Sequence, residues 1–335
     1  MKYLLIFAIL ILVVSTYIII ARHFKIVDQP NSRSSHSKVT IRGGGIIFPI
    51  GALIWFFLSG FQYPMFFLGL IIISIISFWD DIKQQSTLKR LIFQSVAVIL
   101  LFSDIGFQNY SWWIWILVFI LSIGIINAYN FMDGINGITG AYSLSVIAGL
   151  WLINTYQQNF IDNEFIYIIS ISVTIFCFLN FRKKAICFGG DVGSVSIAFI
   201  IVFLMFKLIN QTANPLYLLL LSVYGIDSIL TILVRLWNNE NIFEAHRKHL
   251  YQLMANELKI QHIIVASIYS ILQILICLLI FNVINANFNS YVNLIIGLSV
   301  FISLILIYTI LRNKINEMQL NNKEKLLFKK INIIS

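Results

Sequence analysis

Charge is what this 335-residue chain has least of. Only 11% of its residues are Asp, Glu, Lys or Arg, against about 25% in soluble globular proteins. Hydrophobic residues make up 59%, and the mean hydropathy is +0.88, which excludes a soluble globular chain. Segments of about ten residues with alternating polarity, the mark of a membrane β-barrel, are missing among the long apolar runs. The three cysteines, Cys177, Cys187 and Cys277, supply no disulfide framework, and Cys187 is expected in a reducing compartment. There is no Walker A sequence and no dinucleotide fingerprint, since Gly43-Gly44-Gly45 alone is too little. No separate soluble domain, transporter-like repeat or nucleic-acid-binding segment stands out. A small-x-small cleavage site is also missing after the first apolar run, where Ala21-Arg22-His23-Phe24 stands. The run is therefore expected to remain as a span rather than be removed as a signal peptide.

Long apolar runs dominate what is present. A spanning helix needs roughly 20 apolar residues, and the chain reads as an all-α polytopic integral membrane protein with about eleven transmembrane helices. The expected spans are Lys2–Ala21, Gly44–Gly60, Pro64–Trp79, Leu88–Phe102, Ser111–Ala128, Gly137–Tyr156, Glu164–Phe181, Val192–Gln211, Pro215–Trp237, His262–Ile284 and Tyr291–Leu311. Arg90 and Gln94 interrupt the start of the fourth. Residues 1–311 read as one transmembrane domain, and residues 312–335 as a basic tail.

Of the 23 Lys and Arg residues, all but Lys2 and Lys207 fall in or beside every second gap between spans. The other gaps have no basic residue and hold Asp104, Asp162 and Glu164. By the positive-inside rule the basic gaps face the cytoplasm, as does the C-terminus, and the N-terminus faces out. The net charge of +9 fits this topology and attraction to anionic lipid. Chemistry is expected in five inner segments: 22–43, 80–90, 127–137, 182–191 and 235–261.

Asp80 and Asp81 close the third span, where the negative end of the helix dipole disfavours acids and two adjacent carboxylates repel. Either a cation or proton-transfer role offsets this, or the pair is solvated, with Lys83, Lys89 and Arg90 as counter-charges. Asn130, Asp133 and Asn136 are three apart and share a face if helical; a polar turn with an Asx cap is the alternative. Asp191 follows Gly189-Gly190 and precedes Gly193-Ser194, so it reads equally as a helix N-cap and as part of a backbone phosphate site. His246 and His249 form at most half a zinc site. The run His246-Arg247-Lys248-His249 reads better as a cationic cluster for phosphate, with Arg247 able to grip bidentately.

Acids in three inner gaps and cations in a fourth suit magnesium, which takes one or two carboxylates and fills its shell with phosphate oxygens and water. That points to a nucleotide diphosphate meeting a membrane-held substrate. A lipid or ion transporter would place its ionisable groups near the midplane, where only Asp227 lies.

With these residues assembled, the chain resembles the polyprenyl-phosphate sugar-1-phosphate transferases, the WecA/MraY superfamily, and most closely its WbpL-like branch. The resemblance rests on six motifs in order. They are Asp28-Gln-Pro-Asn-Ser-Arg-Ser-Ser-His with Arg42-Gly-Gly-Gly, Asp80-Asp81 with Leu88, Arg90 and Gln94, and Asn130-Phe-Met-Asp-Gly; then Gly190-Asp-Val-Gly-Ser, Asp227 eight residues before Arg235, and His246-Arg-Lys-His-Leu-Tyr-Gln. It implies transfer of an N-acetylhexosamine-type sugar-1-phosphate from a UDP-sugar to undecaprenyl phosphate with release of UMP, at a bacterial inner membrane. It further implies the start of O-antigen, capsule or other surface polysaccharide synthesis. The cofactor implied is magnesium, with manganese as a substitute, and a homodimer is compatible with it.

Carried over by position, Asp191 and Asp81 are the expected metal ligands. Asp80 serves as base, orienter or nucleophile; Asp133 and Asn130 position nucleotide or metal; His246, Arg247 and His249 hold phosphates or sugar, and Arg42 and Arg90 join the substrate site. A silent family member is the remaining alternative, because Asn136 stands where the family usually has a second aspartate. The muramyl-pentapeptide branch carries a histidine triplet where this chain has His-Arg-Lys-His, so that donor is not expected.

Overall fold

The computed structural model describes residues 1–30, 38–106, 111–242, 244 and 246–334, with backbone alone from 320 onward. Twelve helices account for nearly all of them: α1 (Lys2–His23), α2 (Ile47–Leu58), α3 (Pro64–Ile82), α4 (Thr87–Ile105), α5 (Trp112–Met132), α6 (Ile138–Tyr156), α7 (Asn163–Asn180), α8 (Gly190–Thr212), α9 (Ser222–Trp237), α10 (Leu250–Asn256), α11 (His262–Asn285) and α12 (Ser290–Ile334). Short 3-10 segments, Gly44–Ile46 and Pro215–Leu221, lead into α2 and α9.

Nine of the described helical segments are long and apolar enough to cross a membrane. The two other expected spans are helical but depart from that measure. The Gly44–Leu58 segment is short, and α4 carries Lys89, Arg90 and Asp104 within 19 residues. Large apolar side chains such as Ile75, Ile99, Ile120, Ile271 and Ile310 point outwards. Helices satisfy their own backbone hydrogen bonds, so such a surface suits lipid. The chain is an all-α polytopic membrane protein.

Helix α8 is the axis of the bundle. Its apolar residues show no favoured face, the pattern of a helix buried all round, and 89% of its most apolar window is buried. It packs against α2, α3, α4, α5 and α6. Acids borrowed from neighbouring helices fix helix ends: Asp104 of α4 accepts the Phe66 N–H at 2.7 Å in the first turn of α3.

A small sheet stitches the start of the chain to the start of α8. Strand β1 (Val27–Asp28) pairs antiparallel with β2 (Thr40–Ile41), and Ile41 bridges Cys187. The Gly44 and Gly45 N–H groups then donate to the carbonyls of Phe188 and Gly189 at 2.8 and 3.0 Å. The backbones here touch: a Cβ on Gly45 would stand 2.2 Å from the Gly193 Cα. This close approach is the reason both segments are glycine-rich.

Candidate active site

The ends of α3, α5 and α7, the starts of α4, α8 and α11, and the loops beside them line a polar cavity of about 910 Å³. Arg42, Asp80, Asp81, Arg90, Asn130, Asp133, Asp191, His246 and His249 line it, so one cavity collects sequence motifs from more than 200 positions of chain. Arg247 is not among its lining residues. Asp28 is, while the rest of its motif from residue 31 to 37, with Arg33 and His36, lies outside the described residues.

Asp80 and Asp81 are only 8% and 9% exposed, so the solvated-pair reading fails. Lys83 and Lys89 point to the exterior; the counter-charges are arginines instead. Arg42 spans two acids, with Nε 2.6 Å from Asp81 Oδ1 and Nη2 2.7 Å from Asp191 Oδ1. Arg90 Nη1 lies 3.7 Å from Asp80 and 3.5 Å from Asp191. Burial works against the Arg42 cation, but Asp81, Asp191 and Asp28 outweigh it and raise its pKa.

The two adjacent acids have different surroundings. Asp81 Oδ1 accepts the Asp191 N–H at 2.8 Å and Oδ2 the Val192 N–H at 3.0 Å. With Arg42 also on Oδ1, Asp81 serves as the cap of α8, supplied from across the bundle. Asp191 sits in the first turn of α8, after Gly189 as N-cap, rather than being the cap itself. Two of the N–H groups that could have cradled a phosphate, those of Asp191 and Val192, are thus occupied by Asp81. Asp80 accepts the Gln85 N–H at 2.6 Å through Oδ1 and lies in hydrogen-bonding reach of Asp191.

Asn130, Asp133 and Asn136 do not share a helical face. Helix α5 ends at Met132, and Gly137, at φ +83°, holds the turn that follows. Asn130 donates to Ser194 at 3.1 Å. Asp133 Oδ1 accepts the Thr139 hydroxyl at 2.6 Å; burial, opposed by that bond, pushes its pKa up to about 6. Asn136 points its amide at backbone, donating to the carbonyls of Arg182 and Lys183 at 2.9 and 3.4 Å. A carboxylate could not make those bonds.

The histidine loop is tied down from two sides. Arg235, 3% exposed, donates to the Ile242 and Glu244 carbonyls at 3.2 and 3.1 Å and also reaches Asn241. Lys248 pairs with Glu240, and its carbonyl accepts from Arg312 at 3.1 Å. Burial, His249 and Arg235 bring the His246 pKa down to about 4, so His246 is neutral near pH 7. The expected four-residue cationic cluster therefore reduces, on the cavity side, to two imidazoles with ring centroids 4.9 Å apart. Among the described residues no three His, Cys, Asp or Glu side chains converge as a protein-only metal site, and zinc finds no third ligand.

Asp227 is held by groups of α9, α10 and α11. Its oxygens accept from Thr231 (3.1 Å), Leu250 N–H (2.9 Å), Tyr251 N–H (3.3 Å) and Tyr269 (2.6 Å), and face His249 Nδ1 at 3.3 Å. It organises the start of α10, a short helix within the expected inner segment 235–261. The signal for α10 was present as a capping box, His249 with Gln252. Gln252, the last residue of the histidine motif, lines the cavity, and so do His262 and Asn180, which no sequence motif marks. His262 opens an apolar span and Asn180 closes one, and nothing in their spacing marks them.

Comparison with known proteins finds relatives that carry the same segment of sequence. The glycosyl transferase family 4 model matches residues 63–209, the segment that carries Asp80, Asp81, Asn130, Asp133 and Asp191. Over that segment the chain is similar to glycosyl transferase family 4. A probable undecaprenyl-phosphate N-acetylglucosaminyl 1-phosphate transferase of Bacillus subtilis (strain 168) is 28% identical over 256 residues, 68% of this chain and 70% of the relative. An undecaprenyl-phosphate alpha-N-acetylglucosaminyl 1-phosphate transferase of Salmonella typhi is 25% identical over 252 residues, 68% and 69% of the two chains. A phospho-N-acetylmuramoyl-pentapeptide-transferase of Dictyoglomus turgidum (strain DSM 6724 / Z-1310) is 28% identical over 243 residues, 64% of this chain and 75% of the relative. These similarities support the resemblance to the WecA/MraY superfamily.

Proposed function

We propose that this protein transfers an N-acetylhexosamine 1-phosphate from its UDP-sugar to undecaprenyl phosphate, releasing UMP and leaving the sugar on the lipid carrier as a diphosphate. The observation that carries this reading is the Asp80–Asp191 pair facing Arg42 and Arg90 in a cavity at one end of the bundle. A cavity so placed can take a water-soluble donor while the acceptor stays in the bilayer. The curated relatives, three of them named above, supply the substrate classes by analogy. On the charge asymmetry of the sequence, this end faces the cytoplasm of a bacterial inner membrane, and the product would start a surface polysaccharide.

The donor set suits magnesium. Two carboxylates in hydrogen-bonding reach of each other need a cation or a proton between them, and magnesium requires no more protein ligands than one or two. Asp80 and Asp191 would hold it; Asp81, whose oxygens already receive two N–H groups and Arg42, would not. When bound, the ion would neutralise diphosphate charge. Arg42 and Arg90 keep the two acids in place and offer positive charge to phosphoryl oxygens. Asn130 orients Asp191. His246, neutral near pH 7, can exchange hydrogen bonds with the sugar or ribose. Attack at phosphorus needs in-line positioning more than covalent help, which rigid, buried groups supply.

The test is UMP release by the purified protein from UDP-N-acetylglucosamine and undecaprenyl phosphate, with magnesium or with a chelator. The expected result is release that needs both substrates and magnesium and falls at least 100-fold in Asp191→Asn. Release by neither UDP-N-acetylglucosamine nor other UDP-N-acetylhexosamines from a folded preparation would sink the reading.

A further inference from the structure

The His249 ring has two nitrogens in opposite situations. Nδ1 faces Asp227 at 3.3 Å, and Nε2 is buried without a protein partner. The residue is 2% exposed yet lines the cavity. Its ring is packed between neighbours: Phe131 lies 6.4 Å away, His246 4.9 Å and Tyr251 5.8 Å, centroid to centroid. These rings and the Asp227 contact hold the imidazole in its present orientation. Buried nitrogens of this kind find partners, and the cavity that His249 lines is where one can stand.

From this, and resting on the reading above, we infer that Asp227 is a positioning residue that fixes the His249 imidazole with Nδ1–H inward, so that Nε2–H is presented to a phosphoryl oxygen in the cavity. The nitrogen facing a carboxylate carries a hydrogen, since Asp227 ionised has no hydrogen to give. A carboxylate behind an imidazole fixes the ring orientation and stabilises its cationic form when the other nitrogen meets an anion. Asp227 is itself over-determined. Tyr269 donates to it at 2.6 Å and the first two N–H groups of α10 at 2.9 and 3.3 Å. The ring, the loop that carries it and the start of α10 thus share one anchor on α9. Phosphoryl oxygens enter the cavity from two sources, the nucleotide and the lipid phosphate, and Nε2 could meet either.

A double-mutant cycle separates positioning from folding. Binding of UDP and of farnesyl phosphate, with uridine as the phosphate-free control, would be measured by calorimetry on detergent-purified protein. The variants are Asp227→Asn, His249→Gln and the pair. Each single change is expected to weaken UDP or farnesyl phosphate at least tenfold, to leave uridine within about twofold, and to be non-additive in the pair. The ligand that loses affinity names the source. Additive losses, or unchanged affinity for both phosphates in His249→Gln, would overturn the inference. If wild type binds no UDP, the proposed function fails instead. Should Asp227→Asn not fold, ¹⁵N signals of His249 in wild type decide. UDP or farnesyl phosphate must then shift Nε2 and keep the Nδ1 proton in place, and an unmoved Nε2 rejects the inference.

Discussion

Asp81 accepts the backbone N–H of Asp191 at 2.8 Å, across 110 positions of sequence, so one acid sets where the other stands. The arrangement explains a pair of adjacent carboxylates at the unfavourable end of a helix. Asp81 faces the favourable end of α8, where first-turn N–H groups welcome negative charge, and Arg42 closes the remaining side. Asp80 is left to face the cavity. Asp81→Asn keeps the shape but breaks a buried charge pair, which costs about 3–5 kcal/mol. The expected outcome is a clear fall in thermal unfolding temperature in detergent. The magnesium concentration giving half-maximal activity should stay near wild type in Asp81→Asn and rise in Asp80→Asn. A shift confined to Asp81→Asn would restore Asp81 as a metal ligand and remove Asp80.

Asp133 gives a pH dependence whose sign follows from its surroundings. Burial raises its pKa from 3.8 to about 6, so between those values the folded chain binds more protons than the unfolded one. Stability from this group is full below about pH 4, declines as pH rises through the window, and is lost above about pH 6. Thermal unfolding between pH 4 and pH 8 in chelator should show this decline in wild type. Asp133→Asn should flatten it. Parallel profiles for the two proteins would refute the assignment.

Asn136 invites the substitution Asn136→Asp, which restores the aspartate the family usually carries. The structure sets the opposite expectation. The amide donates to two backbone carbonyls of the α7–α8 loop, and a carboxylate there would leave them unpaired at about 1–3 kcal/mol. Asn136→Asp should therefore lower both the unfolding temperature and UMP release. Higher turnover in Asn136→Asp would mean that the asparagine had weakened a catalytic position.

Much of this protein was legible along the chain. Low charge and long apolar runs are sufficient for a polytopic helical membrane protein, because a bilayer admits little else. The cavity gathers most residues singled out from motif spacing, Asp80, Asn130, Asp133, Asp191 and His249 among them. Hydropathy periodicity, in contrast, could not rank the helices. The central helix α8 and the lipid-facing α12 are both apolar, and their burial differs only because one has neighbours on every side.

Roles within the site were decided by tertiary structure alone. Asp80 and Asp81 are identical in type and adjacent, and only the direction of each side chain separates a group that faces the cavity from one that caps α8. Asp227 reads in sequence as an intramembrane acid and in the fold as the anchor of His249. Composition and spacing determined the class of molecule, its apolar helices and the inventory of reactive groups, since these follow from solvent and from local geometry. Which polar group satisfies which is a long-range matter. In a low-dielectric interior each buried donor and acceptor must find a partner, and that partner comes from whichever helix the fold places beside it.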